Sequence, residues 1–338
     1  MIRLIFLAVF VFLAPHVVSQ ISNPGIAFAG NNLSEAELRQ ALTKTCDQVN
    51  AYYQTEHFPI PVPSPALCSF AFKSDPNYQE PIGFFDLDQN HELRLEAKVL
   101  AKSGRVVSFA NFAAFHEAYG VRAHLYSEKP APKWTKDKAV EMASKFAAIF
   151  VQPWGNQLGK PNATFDWQFT AFDKATHSIK FKEGEWSITL RRVTASGIPF
   201  LTDGVQMGLS ENYGPSIVNV FFRAQYNGED DHITPLAKDK TLIEAYKGLA
   251  RLLASPSGKS WLPGGQSKGN PEMALYIVCP NDLQTNKSML DMVYAQQGKG
   301  RLAWVVTYAV YNPSTPAVTD QVSVYIDAKN GSFLGGTL

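Results

Sequence analysis

Three glycines set the strongest constraint on how this chain folds. Gly104, Gly214 and Gly331 each follow a run in which apolar and polar residues alternate. Five residues before each glycine stand Val99, Leu209 and Ile326; seven before, Ala97, Met207 and Val324; nine before, Leu95, Val205 and Val322. Between them lie Arg94, Glu96 and Lys98 in the first run, Gln206 and Ser210 in the second, and Gln321 and Ser323 in the third. Side chains of a strand point alternately to its two faces, so each run predicts a strand with one face on a core. Each glycine supplies the positive φ of a tight connection. The second strand of each hairpin then begins at Val106-Val107, Ile217-Val218 or Phe333-Leu334.

Each hairpin is preceded, some way upstream, by a helix. Ser34-x-x-Glu37 and Thr241-x-x-Glu244 have the spacing of capping boxes, and Thr135 with Asp137 provides a cap and a first-turn negative charge. Apolar stripes at helical spacing follow: Leu38, Ala41, Leu42, Val49 and Tyr53; Ala139, Met142, Ala143, Phe146 and Phe150; Leu242, Ala245, Leu249, Leu252 and Leu253. Further strands are predicted at Phe165–Phe172, Trp186–Leu190, Leu275–Val278 and Trp304–Tyr311. A helix followed by strands, with no regular alternation, implies α+β construction: three tandem helix-on-antiparallel-sheet units. Their expected spans are 20–130, 131–237 and 238–338, with boundaries in Ser127–Lys133 and Asn227–Lys240. The proline-rich Pro59–Pro65 stretch reads as a stiff loop inside the first.

Residues 1–19 read as a cleavable signal peptide: Arg3, an apolar run from Leu4 to Ala14, and Val17-Val18-Ser19 before the cleavage point. That run is too short to span a bilayer, which takes roughly 20 residues as a helix. The expected location is therefore secreted or periplasmic, with no membrane span. Of 31 Lys and Arg, Arg3 lies in the leader, which leaves 30 against 30 Asp and Glu. A balanced chain without basic runs argues against nucleic acid as a partner. An oxidising compartment permits disulfides, but Cys46, Cys68 and Cys279 are an odd set. Cys46 and Cys68 either pair, which by loop-closure entropy is worth about 3 kcal/mol, or stand as buried small hydrophobes. Both readings stay open here.

The closing segment resembles the PepSY domain family, small modules of peptidase propeptides and secreted proteins. The residues that carry this are Trp304-Val305-Val306, then Val322-x-Val324-x-Ile326-Asp327-Ala328-x-x-Gly331, with the helix Thr241–Ala254 upstream. The middle segment is a looser match through Trp186, Arg191, Gly197–Phe200, Asp203-Gly204-Val205 and Gly214. It has Ser210-Glu211 where the last has Asp327-Ala328. The first keeps the hairpin alone. The resemblance implies a cystatin-like helix-on-sheet fold without catalytic residues or cofactor, restraining a peptidase or binding another envelope protein. The residues themselves read structurally. Trp186 and Trp304 are core anchors, and Asp327 holds turn backbone.

Catalytic patterns are weak. Gly265-Gln266-Ser267-Lys268-Gly269 matches a serine-hydrolase elbow as a string, but in a glycine-rich loop instead of between strand and helix. Gly258-Lys259-Ser260 has Leu253 where a phosphate loop needs glycine. Asp86-x-Asp88-x-Asn90 opens like a calcium loop, yet His91 and Ala97 stand where glycine and glutamate belong, so it reads as a solvated turn. His116-Glu117 and His124 lack zinc spacing, Gly120 filling the second histidine's place. The expectation is a non-enzymatic exported protein with a protein partner, no metal and no cofactor. An extracellular hydrolase using Ser267 or the His116/His124 region, or a structural envelope protein, are the alternatives.

Overall fold

The structure is a computed structural model that describes residues 32–59, 61–75, 78, 80–89, 93–111, 132–155, 157–159, 162–173, 178–230, 232–254, 268–280, 298–312 and 315–337. Residues 1–19, Ser267, Gly258–Ser260, His91, His116, Glu117 and His124 lie outside the described residues. The whole of 32–338 forms one compact unit.

Helix α1 (Glu35–Thr55) precedes four strands, β1 (Ser69–Lys73), β2 (Ile82–Gln89), β3 (Leu93–Leu100) and β4 (Val106–Asn111). Helix α2 (Lys136–Val151) and the short β5 (Gln157–Leu158) precede β6 (Asn162–Asp173), β7 (Ser178–Val193), β8 (Pro199–Ser210) and β9 (Gly214–Phe221). Two-residue β10 (Ala224–Gln225) leads to helix α3 (Lys238–Ala254). Then come β11 (Lys268–Val278), β12 (Gly298–Lys299), β13 (Arg301–Asn312), β14 (Thr315–Asp327) and β15 (Phe333–Thr337). The strands β1-β2-β3-β4, β6-β7-β8-β9 and β11-β13-β14-β15 pair in order, each antiparallel to the next. Antiparallel β4–β9 pairing and a parallel contact of β11 with β8, Ile277 opposite Phe200, join all of them into one 13-stranded sheet. The result is α+β: among the described residues, three α-helices on a mixed, mostly antiparallel sheet.

The alternating positions behave as the pattern requires. Leu95, Ala97, Val99, Val205, Met207, Leu209, Val322, Val324 and Ile326 are all buried. The glycines that follow have φ of 66° (Gly104), 81° (Gly214) and 77° (Gly331). All three hairpins also carry a register shift at the same place, between Lys98 and Val99, Gly208 and Leu209, and Tyr325 and Ile326. A bulge adds one unpaired residue and sharpens strand twist, which bends each hairpin over its helix.

The entrance to each helix is tied to its hairpin two residues before the helix begins. The Leu33 N–H donates to the Ala101 carbonyl (2.8 Å) and the Leu236 N–H to the Ala328 carbonyl (2.7 Å). In the middle segment the Trp134 N–H donates instead to the Glu211 carboxylate (3.0 Å). Ala101, Glu211 and Ala328 each stand three residues before their glycine. The Glu211 carboxylate thus takes the part of a backbone carbonyl, and it also accepts from the Lys133 N–H (2.9 Å) and the Trp186 indole (3.0 Å).

Helix α1 starts at a capping box: the Glu37 N–H donates to Ser34 Oγ, and the Ser34 N–H to Glu37 Oε2 at 2.7 Å. Thr135 caps α2. The box expected at Thr241–Glu244 is not one. Helix α3 begins at Lys238, and buried Thr241 turns its hydroxyl back to the Ala237 carbonyl (3.0 Å). The tie at Leu236 starts the helix a turn early, and a threonine inside a helix satisfies its hydroxyl on the preceding turn. Asp86 and Asp88 likewise lie in β2, not in a turn, with Asp86 paired to Glu96 between the buried Phe85 and Leu87.

Helices α1 and α2 share one core. Leu38, Leu42, Cys46, Val49 and Tyr53 of α1 and Ala139, Met142, Ala143, Phe146 and Phe150 of α2 cluster with β3, β4, β7, β8 and β9 side chains. The Tyr52 hydroxyl donates to the Met142 carbonyl (3.1 Å), its ring lies 5.1 Å from Phe146, and the Tyr53 hydroxyl donates to the Pro215 carbonyl of β9. A second core gathers Ala245, Leu249 and Leu252 of α3 with Trp304, Val306, Val322, Val324 and Ile326. Gly248 lets α3 approach the sheet: a Cβ there would stand 2.6 Å from Val324 and 2.7 Å from the Phe333 ring.

Candidate functional site

Trp304 and Trp186 occupy equivalent register, opposite Ile326 and Leu209, five residues before their glycines. The Trp304 indole donates to the Leu236 carbonyl (2.9 Å) and the Trp186 indole to Glu211, so both pin the entry of a helix to the sheet. In the first segment that register position, opposite Val99, is Gly83. Leu38 and Phe70 fill its space, each 2.9 Å from where a Cβ would be.

Asp327 accepts from the Lys329 (2.8 Å) and Asn330 (3.2 Å) N–H groups and pairs with Arg301. Asp203 is fully buried, accepts from the Ala224 N–H (3.0 Å) and pairs with Arg192 (3.0 Å). Burial raises its carboxyl above the ordinary range, while the Ala224 and Arg223 N–H bonds and the Arg192 charge act in the opposite sense. Cys46, Cys68 and Cys279 are free and buried. Burial pushes their thiols up, Cys46 and Cys279 to about 12 and Cys68 to about 11. These groups hold structure.

Open space lies elsewhere. A cleft of about 840 Å³ is lined by Tyr78 and Glu80 ahead of β2, by Leu100, Lys102, Ser103 and Arg105 at the Gly104 turn, by Trp154 and Arg192, and by Phe222–Asn227 after β9. That volume is in the range of ligand sites. Its wall carries Lys102, Arg105, Arg192 and Arg223 against a single carboxylate, Glu80, which accepts from the Lys102 backbone N–H (2.9 Å). Trp154 ends a 3-10 turn after α2 and meets Phe222 edge to face at 5.0 Å. Arg105 lies over the Trp154 ring at 4.4 Å, within cation–π range. Arg192 is held by Asp203 and the Ala224 carbonyl (2.8 Å) and stacks on Phe200 at 4.0 Å. The Tyr78 hydroxyl shares the Val107 and Val220 carbonyls, both at 3.4 Å, closing the floor.

None of these residues was singled out by sequence pattern. Arg191-Arg192 on an alternating strand and Phe221-Phe222-Arg223 were the available signals. The β4–β9 pairing brings the residues after β9 beside the Gly104 turn. Among the described residues no helix is long and apolar enough to cross a membrane, and no group of three or more His, Cys, Asp or Glu is placed to hold a metal.

Fold and cleft together define an α+β protein whose described helices cover one large sheet and which carries a basic, aromatic cleft. Among solved structures it is similar to the Bacillus megaterium YpeB C-terminal domain, at 12% identity over 91% of this chain and 98% of that one, with a TM-score of 0.39. It is also similar to an uncharacterized protein from Eubacterium rectale, at 13% identity over 89% and 83% of the two chains, with a TM-score of 0.45. No family model and no curated protein matches the sequence.

Proposed function

We propose that this chain is an exported, non-enzymatic binding protein of three tandem PepSY-like α+β units, and that its cleft engages a secreted peptidase or an envelope protein. The observation that carries this is the cleft. Cationic and aromatic side chains from five separate places in the chain line it, which is equipment for holding a partner. The repeated helix tie, the bulged hairpin and the shared Trp186 and Trp304 register support one unit used three times. The PepSY-like residues Trp304, Asp327 and Gly331 support the family, and the Leu4–Ala14 run supports export. The lining backbone is already committed, the Ala224 N–H to Asp203 and the Gln225 carbonyl to the Gly300 N–H. Those two groups are taken, so the recognition proposed at this place is by side chains.

The test uses residues 20–338, which include the whole compact unit. Binding to, and inhibition of, a panel of purified secreted metallopeptidases and envelope proteins is measured for the native protein and for Phe222→Ala. Binding to a panel member, weakened roughly tenfold or more in the variant, is expected if the half-buried Phe222 ring anchors the partner. Binding nowhere on the panel, or binding that Phe222→Ala leaves unchanged, removes the proposal.

A further inference from the structure

The cations of the cleft are not equally committed. Arg192 spends its charge on buried Asp203 and its Nη1 also on the Ala224 carbonyl. Arg105 differs. Its guanidinium lies over the Trp154 ring, and among the described residues it has neither an ion-pair partner nor a side-chain hydrogen bond. Lys102, exposed on the same turn, is in the same position among the described residues. Beneath Arg105, Trp154 Nε1 is shielded from solvent and among the described residues has no acceptor. A buried N–H without an acceptor is costly, and such groups in a folded protein call for an explanation. Two cations without an ion-pair partner among the described residues thus stand at one turn of the cleft, beside an aromatic wall of Trp154 and Phe222.

We propose that this corner of the cleft binds a carboxylate on a peptide segment, with an apolar neighbour of that carboxylate against Trp154 and Phe222. A carboxylate matches the planar guanidinium fork in two parallel hydrogen bonds. The aromatic wall supplies the apolar burial that a free anion would not use. The carboxylate comes from an acidic side chain or from a chain end. This inference rests on the reading of the cleft as the partner-binding site.

The test is fluorescence titration of residues 20–338 with three pentapeptides that share two flanking phenylalanines. One is acetylated and amidated with a central glutamate, one has a central glutamine, and one has that glutamine with a free C-terminal carboxylate. Trp154→Phe assigns the signal. Binding of either acidic peptide roughly tenfold tighter than the neutral one is expected for a charge-assisted bond. Arg105→Gln should erase that preference while thermal unfolding stays unchanged, and the tighter acidic peptide identifies the source of the carboxylate. Equal binding of all three overturns the inference and leaves the cleft a protein-binding site, so its failure is distinct from that of the proposed function. No binding of any peptide overturns it too, as does displacement by inorganic phosphate at the same concentration as the acidic peptide. Retention of acid preference in Arg105→Gln has the same effect.

Discussion

Glu211 shows how one side chain can stand in for a length of backbone. In the outer segments an alanine carbonyl receives the N–H that starts the helix, and in the middle one a carboxylate does so and holds the Trp186 indole as well. The sequence displays the substitution, Ser210-Glu211 against Asp327-Ala328, but not its meaning, because a carboxylate's acceptors are assigned only when the donors are in place. Gly83 is a similar case: the missing tryptophan was visible, its replacement by Leu38 and Phe70 was not. The cysteines are simpler. Free and buried, they hold their protons in the folded protein to about pH 11 or 12, whereas an unfolded thiol gives them up near 9. From about pH 9 upward the unfolded chain therefore binds fewer protons than the folded one, and stability falls as pH rises. Two readings are expected. At pH 8 a disulfide-exchange reagent should titrate the three thiols only on unfolding. Urea midpoints should be level from pH 7 to 8.5 and decline above 9; rapid labelling of the native protein would contradict the first.

Helices and strands were the most legible level. Period-2 burial before Gly104, Gly214 and Gly331 and the three helical stripes are local properties, and local properties can be read along a chain. The start of α3 was misjudged for a tertiary reason, the Leu236 tie to Ala328, which no capping pattern contains. Gly248 carries an element-scale prediction. Helix propensity alone favours Gly248→Ala by about 1 kcal/mol. Its Cβ would instead stand 2.6 Å from Val324 and 2.7 Å from Phe333, and Val324 is fully buried and β-branched. Overpacking of this kind costs roughly 1–3 kcal/mol, so the clash wins and the variant should be net destabilised. Equilibrium urea unfolding decides the sign.

At the scale of the whole molecule, one sheet spans two cores. The α1–α2 core and the α3 core meet along a narrow line, the Ile277–Phe200 pairing and the parallel β10–β12 contact. Phe146→Ala, which removes a buried ring at the α1–α2 crossing, should cost about 3–5 kcal/mol in the first core. Native-state hydrogen exchange should then show faster opening for amides of β3, β7 and β8, and little change for β13 and β14. Equal loss of protection in both sets would mean a single cooperative body. This level was the least legible in the sequence. The spacing suggested three similar lengths of chain but not that two of them would merge, because the joining strands are more than a hundred residues apart. The cleft, built across the same join, was hidden for the same reason.

The pairing of β4 with β9 also bears on how the protein is made. Ser108 waits for Asn219 and Ala110 for Ile217, so a growing chain must be extended through the whole middle segment before that ladder closes. Every residue of β4 is buried in the finished protein. Until residue 221 has emerged, the first four strands offer a sticky, unsatisfied border to any other nascent chain, a hazard well known for bare strand edges. Synthesis from the N-terminus thus leaves a window in which a holding chaperone has something definite to guard.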